Sequence, residues 1–345
     1  MSEKKRKQHY VFQAYLLAWA KNEKIWCVRK NGKPFNTNTI NVAQERDFYR
    51  VTPLNNDERR FLKLIYADRS AEVQKALEDH IDSYLQPFEA EQKLKTYKYM
   101  TEILFGGYDG IPNEIKREIA NNEKKIDIWK NNIVEDSHSE IEGESIKWLN
   151  LLKKQDVSFY YSNNEQPNNG AFGNERYSFL FFLCSQYFRT KAIKERWIAK
   201  FGICLNHPQW KTLNIPKENI KLENVQPHLF WYIQTALTFS LWKKNAHLTV
   251  LVNKTSLPFI TSDQSVINLK ADYQNMEIEP TDLIFYYPIS PEIAITVNDE
   301  IPETIVELDL SEVDRYNRVI VNSSYENIFA INPESIERYI SKTNK

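Results

Sequence analysis

Apolar residues fall at helical spacing over much of this chain, and shorter alternating runs interrupt them. From residue 8 to residue 20 the spacing predicts a short buried helix. Val11, Tyr15 and Ala18 line one side, and Phe12, Leu16 and Trp19 another. Residues 24–28 alternate as a strand does, Asn31-Gly32-Lys33-Pro34 signals a hairpin turn, and a second strand is expected at 40–42. Residues 56–100 read as helices, with Asp57 as a cap and Pro87 as a break. Beyond the loop at 106–112, residues 113–154 are polar and sparsely apolar. They predict a helical excursion anchored by Ile126, Trp129, Ile133, Ile146, Leu149 and Leu152. The whole of 56–155 is thus a helical region.

The second half is more apolar. A strand is expected at 156–162 and loops at 163–174 and 206–216, with a long helix at 176–201 between the loops. Phe179 to Cys184 are apolar right round the helix, so its first half must be central. A second buried helix is expected at 227–244, with Pro227 in its first turn. Strands follow at 248–252, around Phe259, at 283–287 and at 294–297. A last helix is expected at 311–324, a closing strand at 328–331, and a frayed end after Arg338.

This order predicts an α+β fold: a mainly helical single domain spanning 1–345, with a small, mostly antiparallel sheet and a surface helical excursion. Aromatics make up 13% of the 345 residues and glycines number only 8, which favours aromatic-filled cores over phosphate-binding glycine loops. The formal net charge of -1 gives no global pull toward nucleic acid or an anionic membrane. Nucleic-acid binding would need a local basic patch, and Lys4-Lys5-Arg6-Lys7 is the candidate. Three widely spaced cysteines, Cys27, Cys184 and Cys204, suit reduced thiols in a cytoplasmic protein. No apolar run is long enough to span a bilayer, so no membrane partner is expected.

The stretch Leu257-Pro258-Phe259-Ile260-Thr261-Ser262-Asp263 has the pattern of a strand running into a turn, which would present a carboxylate at the sheet's end. Asp263 either ties down that turn or serves a site. Gln186 and Arg189 lie one helical turn apart in an apolar helix, and a guanidinium buried there needs a carboxylate or a wet cleft. Asp263 is the expected partner of Arg189, with His9 near both.

Several pieces together resemble a bacterial family, a domain of unknown function whose members open with Gln-His-Tyr-Val-Pro (the HYVP-motif family). The matching pieces are Gln8-His9-Tyr10-Val11-Phe12, Asp47-Phe48-Tyr49, Gln186-Tyr187-Phe188-Arg189-Thr190, Pro258 to Asp263, Pro288-Ile289-Ser290-Pro291, and Asn317 in the last helix. Phe12 and Ser265 depart from the family's prolines. The resemblance brings no settled activity and supports the fold and the site positions.

The expected site comprises His9 and Asp263 as acid/base pair or metal ligands, with Gln186, Arg189 and Asn317 binding substrate. Such a set suits a cytoplasmic effector, a nuclease or other phosphoester hydrolase in a toxin or phage-defence setting, with a divalent metal as cofactor if it is a nuclease. The alternative is a non-catalytic protein-binding or regulatory protein, whose polar network is architectural and whose helical excursion meets a protein partner. No Walker loop, dinucleotide fingerprint or His-Glu-x-x-His is present.

Overall fold

Asn55 starts the helical region. Its side-chain oxygen accepts the Glu58 N–H at 2.8 Å, and the Glu58 carboxylate accepts the Asn55 N–H at 2.8 Å. This reciprocal cap, rather than Asp57, satisfies the first turn. A computed structural model describes residues 3–29, 32–162, 174–204, 215–273, 280–298 and 303–340. Asn31 of the expected hairpin, most of the loops expected at 163–174 and 206–216, and the terminus after 340 lie outside the described residues.

In chain order the elements are β1 (Lys7–His9), α1 (Gln13–Leu16), β2 (Lys24–Arg29), β3 (Phe35–Asn38), β4 (Gln44–Arg46), α2 (Asn56–Ile65) and α3 (Ala71–Leu104). Then come α4 (Asn113–Lys153), α5 (Ser158–Tyr161), α6 (Glu175–Phe188), α7 (Lys191–Cys204), α8 (Leu222–Lys243), β5 (His247–Asn253), β6 (Thr261–Ser262) and β7 (Ile267–Asn268). The chain ends with β8 (Phe285–Pro288), β9 (Ile293–Asn298), β10 (Ile305–Leu308), α9 (Leu310–Ser323), β11 (Asn327–Ala330) and α10 (Glu334–Ile340). With 57% of the described residues in helix and 15% in strand, the protein is α+β and mainly helical.

Two compact units are built from interleaved stretches of the chain. The first comprises Met1–Gln8, Glu45–Glu140 and Leu205–Leu229. In it α3 and α4 run antiparallel, joined by Lys98–Glu123 at 3.3 Å and Lys130–Glu91 at 2.6 Å. Buried Glu58 also accepts the Lys221 N–H at 3.0 Å and the Asn224 side-chain amide at 2.9 Å, stitching the 217–224 segment to α2.

The core of this unit contains His228, which is 3% exposed and has no hydrogen-bond partner at either ring nitrogen. Its ring packs 5.6 Å from His80 and 4.7 Å from Tyr84. Burial lowers the His80 pKa to about 4. Burial, with help from the neighbouring His80 and Arg59, lowers His228 to about 3. Both imidazoles are therefore neutral in the folded state, whereas in the unfolded chain they take protons below about pH 6.5. Stability is full above that value and is lost as pH falls toward the folded-state values, by about 1.4 kcal/mol per pH unit for each histidine. Urea titrations at pH 6.5 and 4.5 should show this loss, and His228→Leu should reduce it. Equal acid sensitivity in the variant would contradict the assignment.

The second unit comprises His9–Gln44, Ile141–Cys204 and Phe230–Lys345. It holds a four-stranded antiparallel sheet ordered β3-β2-β11-β6 and a five-stranded sheet ordered β10-β5-β9-β8-β7. Among the described strands of these two sheets only the β10–β5 pair is parallel, with Ile305 opposite Val250. Apart from both sheets, and not confined to this unit, β1 pairs with β4 as a two-stranded ribbon. The apolar face of α9 (Val313, Tyr316, Ile320) packs with Phe259 and Tyr286, and Tyr316 stacks 4.5 Å from the Tyr286 ring. Phe179, Leu180, Phe182, Leu183 and Cys184 of α6 are completely buried, as their all-round apolarity requires.

Several elements differ from expectation for local reasons. The N-terminal helix is confined to α1 and a following 3-10 turn, because residues 7–9 pair as β1 instead. The strand expected at 40–42 lies earlier, as β3, and Asn38 caps a 3-10 turn by accepting the Ile40 N–H at 3.0 Å. Residues 158–161 are helical, started by the Asp156 carboxylate accepting the Ser158 N–H at 2.9 Å. Pro87 lies inside an unbroken α3, and Pro227 lies well inside α8. The long helix expected at 176–201 is two, α6 and α7, divided at Arg189-Thr190.

Candidate functional site

The Gln8 side chain works at the chain's entrance. Its oxygen accepts the Tyr49 N–H at 2.6 Å and its amide donates to the Asn131 carbonyl at 2.6 Å. Asn131 and Asn132 return three hydrogen bonds to the backbone of residues 3–5. The basic arm is equally occupied: Lys4 pairs with Asp127, Lys5 with Asp136 and Arg6 with Asp47, at 2.7–3.0 Å. Three cations of the expected nucleic-acid patch thus already face carboxylates.

In the second unit, α6 ends at Phe188 and its cap residue, Arg189, is almost fully buried. The guanidinium forms an ion pair with Glu142 and donates to the His9 carbonyl oxygen. The expected partner, Asp263, is replaced by Glu142, which comes from the polar stretch read as an excursion. Tyr287 lies within electrostatic reach of this pair, and its buried hydroxyl has no hydrogen-bond partner. Tyr15 stacks on Tyr287 at 4.8 Å and shares a 2.6 Å hydrogen bond with Thr261. Gln186 is also buried, with no partner for its side-chain nitrogen. Gln186 and Arg189 therefore lie in this unit's interior, and His9 is half-buried. Arg189 meets His9 through the backbone carbonyl.

Asp263 does other work. One carboxylate oxygen accepts the Tyr325 N–H at 2.8 Å. The other accepts the Glu326 and Asn327 N–H groups, each at 2.7 Å, and the Asn327 amide at 3.3 Å. Burial pushes its pKa up, and the three backbone N–H groups pull it down. Every oxygen is occupied by the turn that leads from α9 into β11. Asn317 is engaged as well, accepting the Ile260 N–H at 3.0 Å and donating to the Pro258 carbonyl at 2.9 Å. It clamps α9 onto the strand-like segment before Thr261.

Sequence reasoning missed Glu142, Glu58 and Gln264. Gln264 accepts the Thr190 hydroxyl at 2.5 Å and donates to the Val266 carbonyl at 2.6 Å, and so ties the Thr-Ser-Asp segment to the α6–α7 junction. Among the described residues, no three His, Cys, Asp or Glu side chains gather as metal ligands would. Nor is any helix there long and apolar enough to cross a membrane.

The first unit carries a different kind of surface. Tyr97, Tyr99, Met100, Ile103, Leu104 and Tyr108 lie at the free end of the α3–α4 hairpin and are between 44% and 77% exposed. Beneath them Thr101, Ile111 and Ile119 are buried, so the tip is folded and not frayed.

The model of one protein family, described as Protein of unknown function (DUF4238), matches residues 7–334. The chain belongs to this family. That match corrects the resemblance to a HYVP-motif family, to which nothing points. No curated protein and no solved structure matches the chain. The family covers both units and brings no activity with it.

Proposed function

We propose that this is a non-catalytic binding protein that docks a protein partner on the tip of the α3–α4 hairpin. The observation that carries this reading is the contiguous exposure of six large apolar residues between Tyr97 and Tyr108. Large apolar residues exposed together, rather than scattered singly, mark interaction surfaces. Three of the six are tyrosines, whose rigid rings and polar tips suit interface anchors. Hydrolysis would instead ask Asp263 to hold a metal or move a proton, and four hydrogen-bond donors already saturate that carboxylate.

A photo-crosslinking residue placed at Ile103 should give a discrete adduct in the native host, and one at Glu118 should not. Leu104→Asp introduced beside the Ile103 probe should abolish that adduct while changing stability by less than about 0.5 kcal/mol, because Leu104 is 77% exposed. No adduct at Ile103, or one indifferent to Leu104→Asp, would reject the docking surface. An adduct of twice the chain's mass would identify the partner as a second copy.

A further inference from the structure

The second unit holds a cationic cluster that plays no part in the hairpin reading. Arg196 of α7 donates from Nη2 to the Ser323 carbonyl at 3.0 Å, while Nη1 is buried with no hydrogen-bond partner. No carboxylate of the described residues lies within ion-pair distance of this guanidinium. Asp263 contributes to its field, but that carboxylate is spent on the turn at 325–327. The guanidinium lies 5.2 Å from the Tyr273 ring centre, and the Tyr273 hydroxyl accepts the Asn268 N–H at 2.7 Å. Tyr187 hydrogen-bonds Tyr273, and burial holds both phenols protonated. Lys191, one turn before Arg196, lies 5.9 Å from the Tyr325 ring centre and pairs with Glu326 at 3.3 Å. Arg196, Lys191, Tyr187, Tyr273 and Tyr325 are all half-buried, so the cluster reaches the surface.

An unfilled guanidinium N–H, held in place by Ser323 and an aromatic ring, is a strong donor that lacks its acceptor. Tyr187 of α6 hydrogen-bonds Tyr273, against whose ring the guanidinium lies, and the Lys191 ammonium of α7 lies over Tyr325, which also acts on Arg196. Donors arriving from several directions suit a tetrahedral oxyanion better than a flat carboxylate with two oxygens. We propose that Arg196, Tyr187 and Lys191 form a binding site for a phosphate group, either free or carried as a monoester. The turn beside the site is the one that Asp263 anchors, so the motif residue supports the site without touching the ligand.

Titration calorimetry on the full chain, with inorganic phosphate and separately with phenyl phosphate, tests the proposal. Saturable binding at one site is expected. Arg196→Gln should weaken it at least about tenfold, and the milder Tyr187→Phe about threefold or more. Arg338→Gln, an exposed arginine elsewhere in the unit, should leave it unchanged. Tighter binding of phenyl phosphate would assign the site to an ester, and equal binding to the phosphate group alone. If neither probe saturates below about 10 mM, or if folded Arg196→Gln or Tyr187→Phe binds as wild type does, the site is refuted.

Discussion

Asp263→Ala should lower the unfolding free energy by about 3–5 kcal/mol, a large part of the 5–15 kcal/mol of a typical domain. The substitution leaves the Tyr325, Glu326 and Asn327 N–H groups without their acceptor. Hydrogen bonds to a charged group contribute roughly 1.5–3 kcal/mol each, and a donor orphaned in the interior keeps its full desolvation cost. Asp263→Asn should cost somewhat less, about 2–3 kcal/mol. It retains one acceptor oxygen and turns an NH₂ toward groups that are themselves donors. Urea unfolding of the three proteins measures both effects. A shift below about 0.5 kcal/mol for the alanine variant would mean that the carboxylate does not anchor the turn, and would return Asp263 to consideration as a reacting group. The expected loss also bears on any activity assay, since a variant that unfolds loses function without having lost a catalytic residue.

How much of this was legible beforehand depended on the range of the interaction. The all-round apolarity of Phe179 to Cys184 placed α6 in a core, because nothing but burial accommodates such a segment. The α6–α7 division was harder to see, since the apolar pattern runs straight through Arg189-Thr190. The local sign was Thr190, whose hydroxyl accepts the Ile193 N–H at 3.4 Å as a helix cap does. Pro87 misled in the opposite direction. A proline deletes one backbone hydrogen bond, but Leu77, Ile81 and Leu85 of the same helix are buried, and that packing outweighs the loss.

The site residues divide in the same way. That Arg189 needs a carboxylate or a wet cleft follows from its apolar surroundings alone, by the cost of burying a charge. Which carboxylate does not follow, because Glu142 lies 47 positions away among similar acidic residues of α4. Asp263 was read as an acid/base or metal-binding group and Asn317 as a substrate-binding one, because both fall in the matched motif pieces. Backbone amides and carbonyls consume them, and the backbone carries no sequence signature of where it will pass. The arm at residues 3–8 is the converse case: the basic run read as a candidate nucleic-acid patch is held by Asp47, Asp127, Asn131, Asn132 and Asp136.

Arg189 and Glu142 give the second large effect, and it is one of coupling. Arg189→Met should cost about 3–5 kcal/mol, because it takes the guanidinium away from a nearly buried carboxylate, and Glu142→Leu should cost a similar amount by taking the carboxylate away from the guanidinium. The double variant should not cost their sum. Two apolar side chains of similar volume remove both charges together, so most of the penalty should return, leaving a coupling of about 2 kcal/mol or more. A residue of about 1 kcal/mol should persist, since the His9 carbonyl loses its donor in any Arg189 variant. Urea unfolding of the four proteins closes the cycle, and additivity within about 0.5 kcal/mol would show that the two charges do not depend on each other. If the double variant is stable and still gives the hairpin crosslink, the ion pair serves the architecture of the second unit and binding resides in the first. If it is stable but binding is lost, the buried charges contribute to function, and the unpartnered Gln186 amide and Tyr287 hydroxyl become the next groups to change.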